Sequence, residues 1–202
     1  MKKKSTALVA LALAGVLLTG GTFAYLQSTT NEAKNTFTMG EGVSAEITEP
    51  GWEATGKDAA NNFYPGLVIA KDPQVTNNSQ ETGVYAAVKI TYTNKADGSA
   101  TTYADLSRFL NVAFDTTGDW TFNASKTVAY YKGELAADAT TVPVFSTVTI
   151  KNTATHPDQQ IPATAMKDFD ITVKGYVCQT DVEGTTTAKD ALNKVFPELD
   201  VE

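Results

Sequence analysis

The sequence predicts an all-β protein, an antiparallel two-sheet sandwich with two short connecting helices. Three observations carry that expectation. Apolar residues recur at every second position in three long runs, the period of a half-buried strand. Thr, Val, Tyr and Phe dominate those runs, as pleated surfaces favour. Turn residues punctuate them: Glu49-Pro50-Gly51, Tyr64-Pro65-Gly66, Ala96-Asp97-Gly98 and Thr117-Gly118-Asp119. Seven or more such segments, antiparallel by default, point to a sandwich rather than a parallel α/β sheet.

Taken in chain order, the first segment is not part of that fold. Lys2, Lys3 and Lys4 precede an apolar stretch from Ala7 to Leu18. At roughly 12 residues it is short of the ~20 needed to anchor in a bilayer, and Gly20-Gly21 closes it. Thr22 and Ala24 then supply the small residues of a cleavage site between Ala24 and Tyr25. Residues 1–24 are expected to be a signal peptide, 25–36 a mobile N-terminal segment and 37–202 one β-sandwich domain. An uncleaved N-terminal anchor is the competing reading.

Strands are expected over Phe37 to Thr48, Leu67 to Thr76, Asn111 to Phe114, and Thr127 to Tyr131. The clearest run puts Val84, Ala86, Val88, Ile90 and Tyr92 on one face. Val144, Ser146, Val148 and Ile150 repeat the pattern, as do Phe169, Ile171, Val173, Gly175 and Val177. One helix is expected over Tyr103 to Leu110, presenting Leu106, Phe109 and Leu110. The other starts at a Thr187 cap, presents Ala188, Ala191, Leu192, Val195 and Phe196, and stops at Pro197.

Formal net charge is −7, and removing three signal lysines leaves about −10. An acidic surface argues against nucleic acid and against docking to anionic lipid, leaving only transient membrane contact through the signal peptide. Cys178 stands alone, so no intrachain disulfide forms. A mature chain of about 178 residues is long enough to hold one full core without such a staple.

The junction GGTFAYLQSTTNEAKNTFTMGEG, followed by Ile47-Thr-Glu-Pro50, resembles the TasA/camelysin family of Gram-positive bacteria, exported through a SipW-type signal peptidase. The matching export residues are Gly20, Gly21 and Thr22, then Asn35, Phe37 and Gly40 in Asn-Thr-Phe-Thr-Met-Gly. Pro65-Gly66, Lys71-Asp72-Pro73, the Tyr130-Tyr131-Lys132-Gly133 run and Pro143-Val144-Phe145 extend the likeness along the body. The resemblance implies a jelly-roll sandwich that builds extracellular biofilm fibres. Subunits of such fibres join by giving the mature N-terminal strand to a neighbour's sheet. The segment carrying that role here holds Tyr25, Leu26, Ser28 and Thr30, with Tyr25 and Leu26 as its apolar anchors. The implied partners are other copies of the chain and, during export, the signal peptidase. A monomeric secreted surface or binding module is the alternative of a different class.

The family name also brings a metallopeptidase reading, which the residues oppose. A zinc hydrolase needs about three protein ligands, and this chain has one histidine, His156, in a Pro-bounded polar loop. Asp115-Thr-Thr-Gly-Asp119 reads as an ordinary turn rather than a calcium loop. No Gly-x-Ser-x-Gly elbow, phosphate loop or dinucleotide fingerprint is present. Cys178 reads as a small packing residue rather than a thiolate. Trp120, Phe122, Tyr130 and Tyr131 could stack on sugars, but core packing is the commoner use of such clusters. The sequence therefore predicts a non-enzyme without catalytic residues, metal or cofactor.

Overall fold

A computed structural model describes residues 27–29, 37–38, 42–151 and 168–201. The strands of the front sheet are β1 (Gln27–Thr29), β6 (Val84–Asn94), β8 (Trp120–Phe122), β9 (Val128–Tyr131) and β11 (Phe169–Gln179). They lie in the order β1-β11-β6-β9-β8, every neighbour antiparallel. The long central pair, β6 and β11, is in register over its whole length, from Phe169 opposite Asn94 to Gln179 opposite Val84. The predicted alternation explains why it is a stable spine. Val84, Ala86, Val88, Ile90 and Tyr92 are all at most 3% exposed on the inner face.

The back layer contains β2 (Phe37–Thr38), β3 (Ser44–Thr48) and β5 (Gln74–Asn77) in the order β2-β3-β5. Beside them lie β4 (Val68–Ala70), β10 (Phe145–Ile150) and β7 (Leu110–Phe114) in the order β4-β10-β7. Backbone hydrogen bonds from the Thr141 N–H to the Val75 carbonyl and from the Val144 N–H to the Pro73 carbonyl join the two sets. The strand expected over Leu67 to Thr76 is thus split into β4 and β5. Pro73 has no N–H to give a ladder, and residues 71–73 stand outside both strands. The two layers enclose one main core, to which Val43, Ile47, Ile69 and Val75 of the back and Val88, Ile90 and Trp120 of the front contribute.

The helices differ from expectation in three ways. A π-helical turn (Trp52–Gly56) running into α1 (Lys57–Ala60) was not foreseen, because its sequence lacks an apolar stripe. The helix expected over Tyr103 to Leu110 stops early: α2 spans Tyr103–Leu106, and Leu110 already begins β7. The third, α3 (Ala188–Val195), is capped by Thr187 as expected, through a hydrogen bond from the Asp190 N–H. It is a covering element rather than a connection. Its buried face lies on the outer side of the front sheet and seals a second apolar cluster there.

Candidate functional site

Strand β11 is where the informative geometry converges. Along one side it is fully laddered to β6. Along the other, β1 pairs with three residues, Gln27 opposite Cys178, Ser28 opposite Val177 and Thr29 opposite Tyr176. Within the segment expected to be mobile, the described residues Gln27–Thr29 form an edge strand in their own sheet. The physical reason is that an open strand edge presents backbone N–H and C=O groups that any extended segment can satisfy, whatever its side chains. Beyond β1, no described strand lies against Phe169 to Lys174 on that side.

Around Cys178 the strand is sealed. Tyr176 and Cys178 point outward and are covered by Ala191 and Leu192 of α3 together with Phe196 and Leu199. The Tyr176 and Phe196 rings meet edge-on at 5.0 Å. The Tyr130 hydroxyl lies 2.7 Å from Asn193 Oδ1 and 2.8 Å from the Leu199 carbonyl, tying the C-terminal elements to β9. Burial pushes the Cys178 thiol up to about 12, far from a reactive thiolate.

The opposite end of β11 borders a cavity of about 440 Å³. Its apolar wall includes Phe63, Ile69, Val148, Phe169 and Ile171, and its charged rim includes Lys57, Lys95 and Asp168. Two sequence pieces far apart in the chain build its back. Glu49 accepts from Lys71 Nζ at 2.8 Å, in a pair that is almost entirely buried. The same ammonium sits 4.8 Å from the Trp52 ring centroid. Asp72 accepts from the backbone N–H groups of Gly51 and Trp52, capping the turn that precedes α1. Gly56 lets that helical segment approach β4 closely, since a Cβ there would stand 2.0 Å from the Ala70 carbonyl oxygen. The π-helical turn thereby covers the β4 edge. Sequence reasoning quoted Thr-Glu-Pro50 and Lys71-Asp72-Pro73 as separate motifs. The opposite charges just ahead of each proline, Glu49 one residue before Pro50 and Lys71 two before Pro73, were the signal that could have paired them.

The remaining expected residues sort clearly. Gly20, Gly21, Thr22, Ala24, Tyr25, Leu26, Thr30, Asn35, Gly40 and His156 lie outside the described residues. Ser28 is in β1 and Phe37 opens β2. Asp115 makes the predicted turn, accepting from the backbone of Thr117, Gly118 and Trp120. Burial pushes its carboxyl upward, but those hydrogen bonds and the Thr117 hydroxyl outweigh it, so its pKa is lowered. Trp120 is packed inside, its Nε1 donating to the Val142 carbonyl and its ring meeting Tyr131 edge-on at 5.2 Å. A flat aromatic platform for sugars is therefore not what Trp120 provides. Among the described residues, no three His, Cys, Asp or Glu side chains are grouped to hold a metal ion, and no helix is long and apolar enough to cross a membrane.

The fold and this edge together define an all-β antiparallel sandwich whose β11 edge is, among the described residues, paired by β1 at one end. No family model, curated protein or solved structure matches the chain.

Proposed function

We propose that this chain is a secreted structural subunit of an extracellular fibre or biofilm matrix, a jelly-roll relative of the TasA/camelysin proteins. In this reading it leaves the cell through a SipW-type signal peptidase, which frees Tyr25. Copies then join by passing Tyr25 to Thr30 to a neighbour. The observation that carries the reading is β1: three residues held at the edge of an eleven-residue strand by backbone pairing. Such a seat reads backbone rather than chain identity, so the equivalent segment of another copy satisfies it equally well. Donor and acceptor surfaces differ, so the contact propagates into a filament instead of closing as a dimer. The role is structural rather than catalytic, since one histidine cannot furnish a zinc ligand set.

The test is the mature protein beginning at Tyr25, imaged by negative stain and followed by light scattering. Filaments are expected, and deleting Tyr25 to Thr30 should leave circular dichroism intact while abolishing them. A truncated protein that polymerises as well as the mature form overturns the donor mechanism. A mature protein that stays monomeric replaces the fibre reading with that of a surface module.

A further inference from the structure

We infer that the cavity beside Trp52 is a binding site for a neutral carbohydrate, a short stretch of uncharged polysaccharide that stacks on the indole. This goes beyond the fibre reading and stands whether or not copies of the chain assemble. Three observations lead there. The first is how Trp52 is held. It opens the π-helical turn, a rare geometry that recurs at functional sites. Asp72 accepts from its backbone N–H at 3.2 Å, and the Lys71 ammonium lies 4.8 Å from its ring centroid. Glu49 fixes that ammonium in turn, in the one ion pair found among the described residues. Such a pair adds little net stability over apolar residues of the same size, and here what it fixes is the place of one indole.

The second observation is that this indole is not sealed. Trp120, the other tryptophan, is 3% exposed and packed in the core. Trp52 is only partly buried and lines the cavity together with Phe63 and Phe169, whose ring centroids stand 5.8 Å apart. Apolar burial alone gives no reason to position a tryptophan so closely and then leave it on a cavity wall. At about 440 Å³ the space falls within the ~300–1,000 Å³ usual for small-ligand clefts. A sugar ring offers an apolar C–H face to aromatic walls of this kind, with hydroxyls around its edge for a few placed polar groups.

The third observation is the rim, which decides the charge of the occupant. Lys57 and Lys95 line the cavity beside Asp168 and Asp170, two charges of each sign, and Lys71 is already matched by Glu49. None of the four rim charges is in an ion pair among the described residues. An acidic polymer would meet both carboxylates and a basic peptide both ammonium groups, so neither gains net attraction. Sugar hydroxyls both donate and accept. They can accept from Lys57, Lys95 and the Asn61 amide while donating to Asp168 and Asp170, which uses the whole rim. A neutral carbohydrate is the occupant for which every wall has a partner.

The experiment uses the mature chain and a panel of neutral sugars: cello-, laminari-, manno- and chitohexaose. Polygalacturonate and the dipeptide leucyl-phenylalanine serve as charged controls, and binding is followed by calorimetry and tryptophan fluorescence. Expected is binding of at least one neutral sugar, tighter than of either control. Two variants locate it. Asn61→Ala combined with Asp170→Ala changes exposed side chains only, so the melt should hold while binding weakens at least about tenfold. Trp52→Phe should abolish the fluorescence response to the sugar, since Trp120 is buried away from it. The inference falls if no neutral sugar binds, if a control binds more tightly than all of them, or if either variant responds like the parent. The chain lacking Tyr25 to Thr30 separates this site from the fibre reading. Sugar binding should persist there even when filaments are lost, and its disappearance would overturn a site built within one chain.

Discussion

The two ends of β11 belong to one strand and live in different environments. Around Val177 and Cys178 it has β6 on one side, β1 on the other, the core beneath and α3 above, and both residues are at most 1% exposed. Around Phe169 and Ile171 it has β6 on one side and a cavity near the other, and both are only partly buried. The sealed end is held by close packing of apolar side chains. The cavity end is held by Glu49, Lys71 and Asp72 pinning the segment that carries Trp52 and α1. Stability and availability are thus separated along a single strand, as local differences in packing allow.

The largest expected effect tests the pin. Replacing Lys71 with Met leaves the Glu49 carboxylate buried without its cation, and breaking such a pair costs about 4 kcal/mol. Urea denaturation should show that loss, and adding Glu49→Leu should recover most of it. A single variant as stable as the parent would show that the pin does not hold the cavity end.

Next comes one truncation made at both ends. Leu192→Ala removes a fully buried side chain from the seal over Cys178 and should cost about 3 kcal/mol. Ile171→Ala, at the cavity wall, should cost about 1 kcal/mol, because a side chain that is only partly buried gives up less area. Equal losses in denaturation midpoints would erase the contrast between the two ends.

How much of this could be read in the sequence follows from the range of each interaction. Period-2 alternation is local, so β6 and β11 were legible almost residue by residue, and Thr187 announced its own cap; β10 departs from the expected face at Ser146, exposed beside the buried Phe145 where its register shifts. Cys178 was legible as a packing residue from the lack of a positive neighbour or helix N-terminus beside it, not from its phase. The Trp52–Gly56 turn and α1 were not, because their stability comes from Asp72, twenty-one residues beyond Gly51, and from the fit of Gly56 against Ala70. The role of α3 as a cover was half legible. Its stripe was visible, but nothing in a strand's alternation says that Ala87, Tyr176 and Cys178 on the outer face would also be buried. The seat of β1 was invisible for a different reason. Its pairing is through backbone, and Gln-Ser-Thr carries no apolar signature.

The smallest effect concerns pH and isolates the sealed end. Burial raises the Cys178 thiol from 9.0 to about 12, so the folded state holds its proton where the unfolded chain releases it. A group raised in this way contributes full stability below the unfolded pKa and loses it as pH climbs toward the folded one. Between pH 9 and 12 the folded protein should therefore weaken, by at most about 1.4 kcal/mol per pH unit from this thiol. Tyr92, Tyr130 and Tyr176 are also raised, mainly by burial, so a variant is needed to separate the cysteine. Cys178→Ala should keep the tyrosine-driven decline and lose the part that begins near pH 9. The measurement is the urea midpoint of both proteins from pH 7 to 10.5, read as a difference. Parallel curves would mean that α3 opens readily enough for the thiol to ionise without unfolding, and the two ends of β11 would then be alike in accessibility.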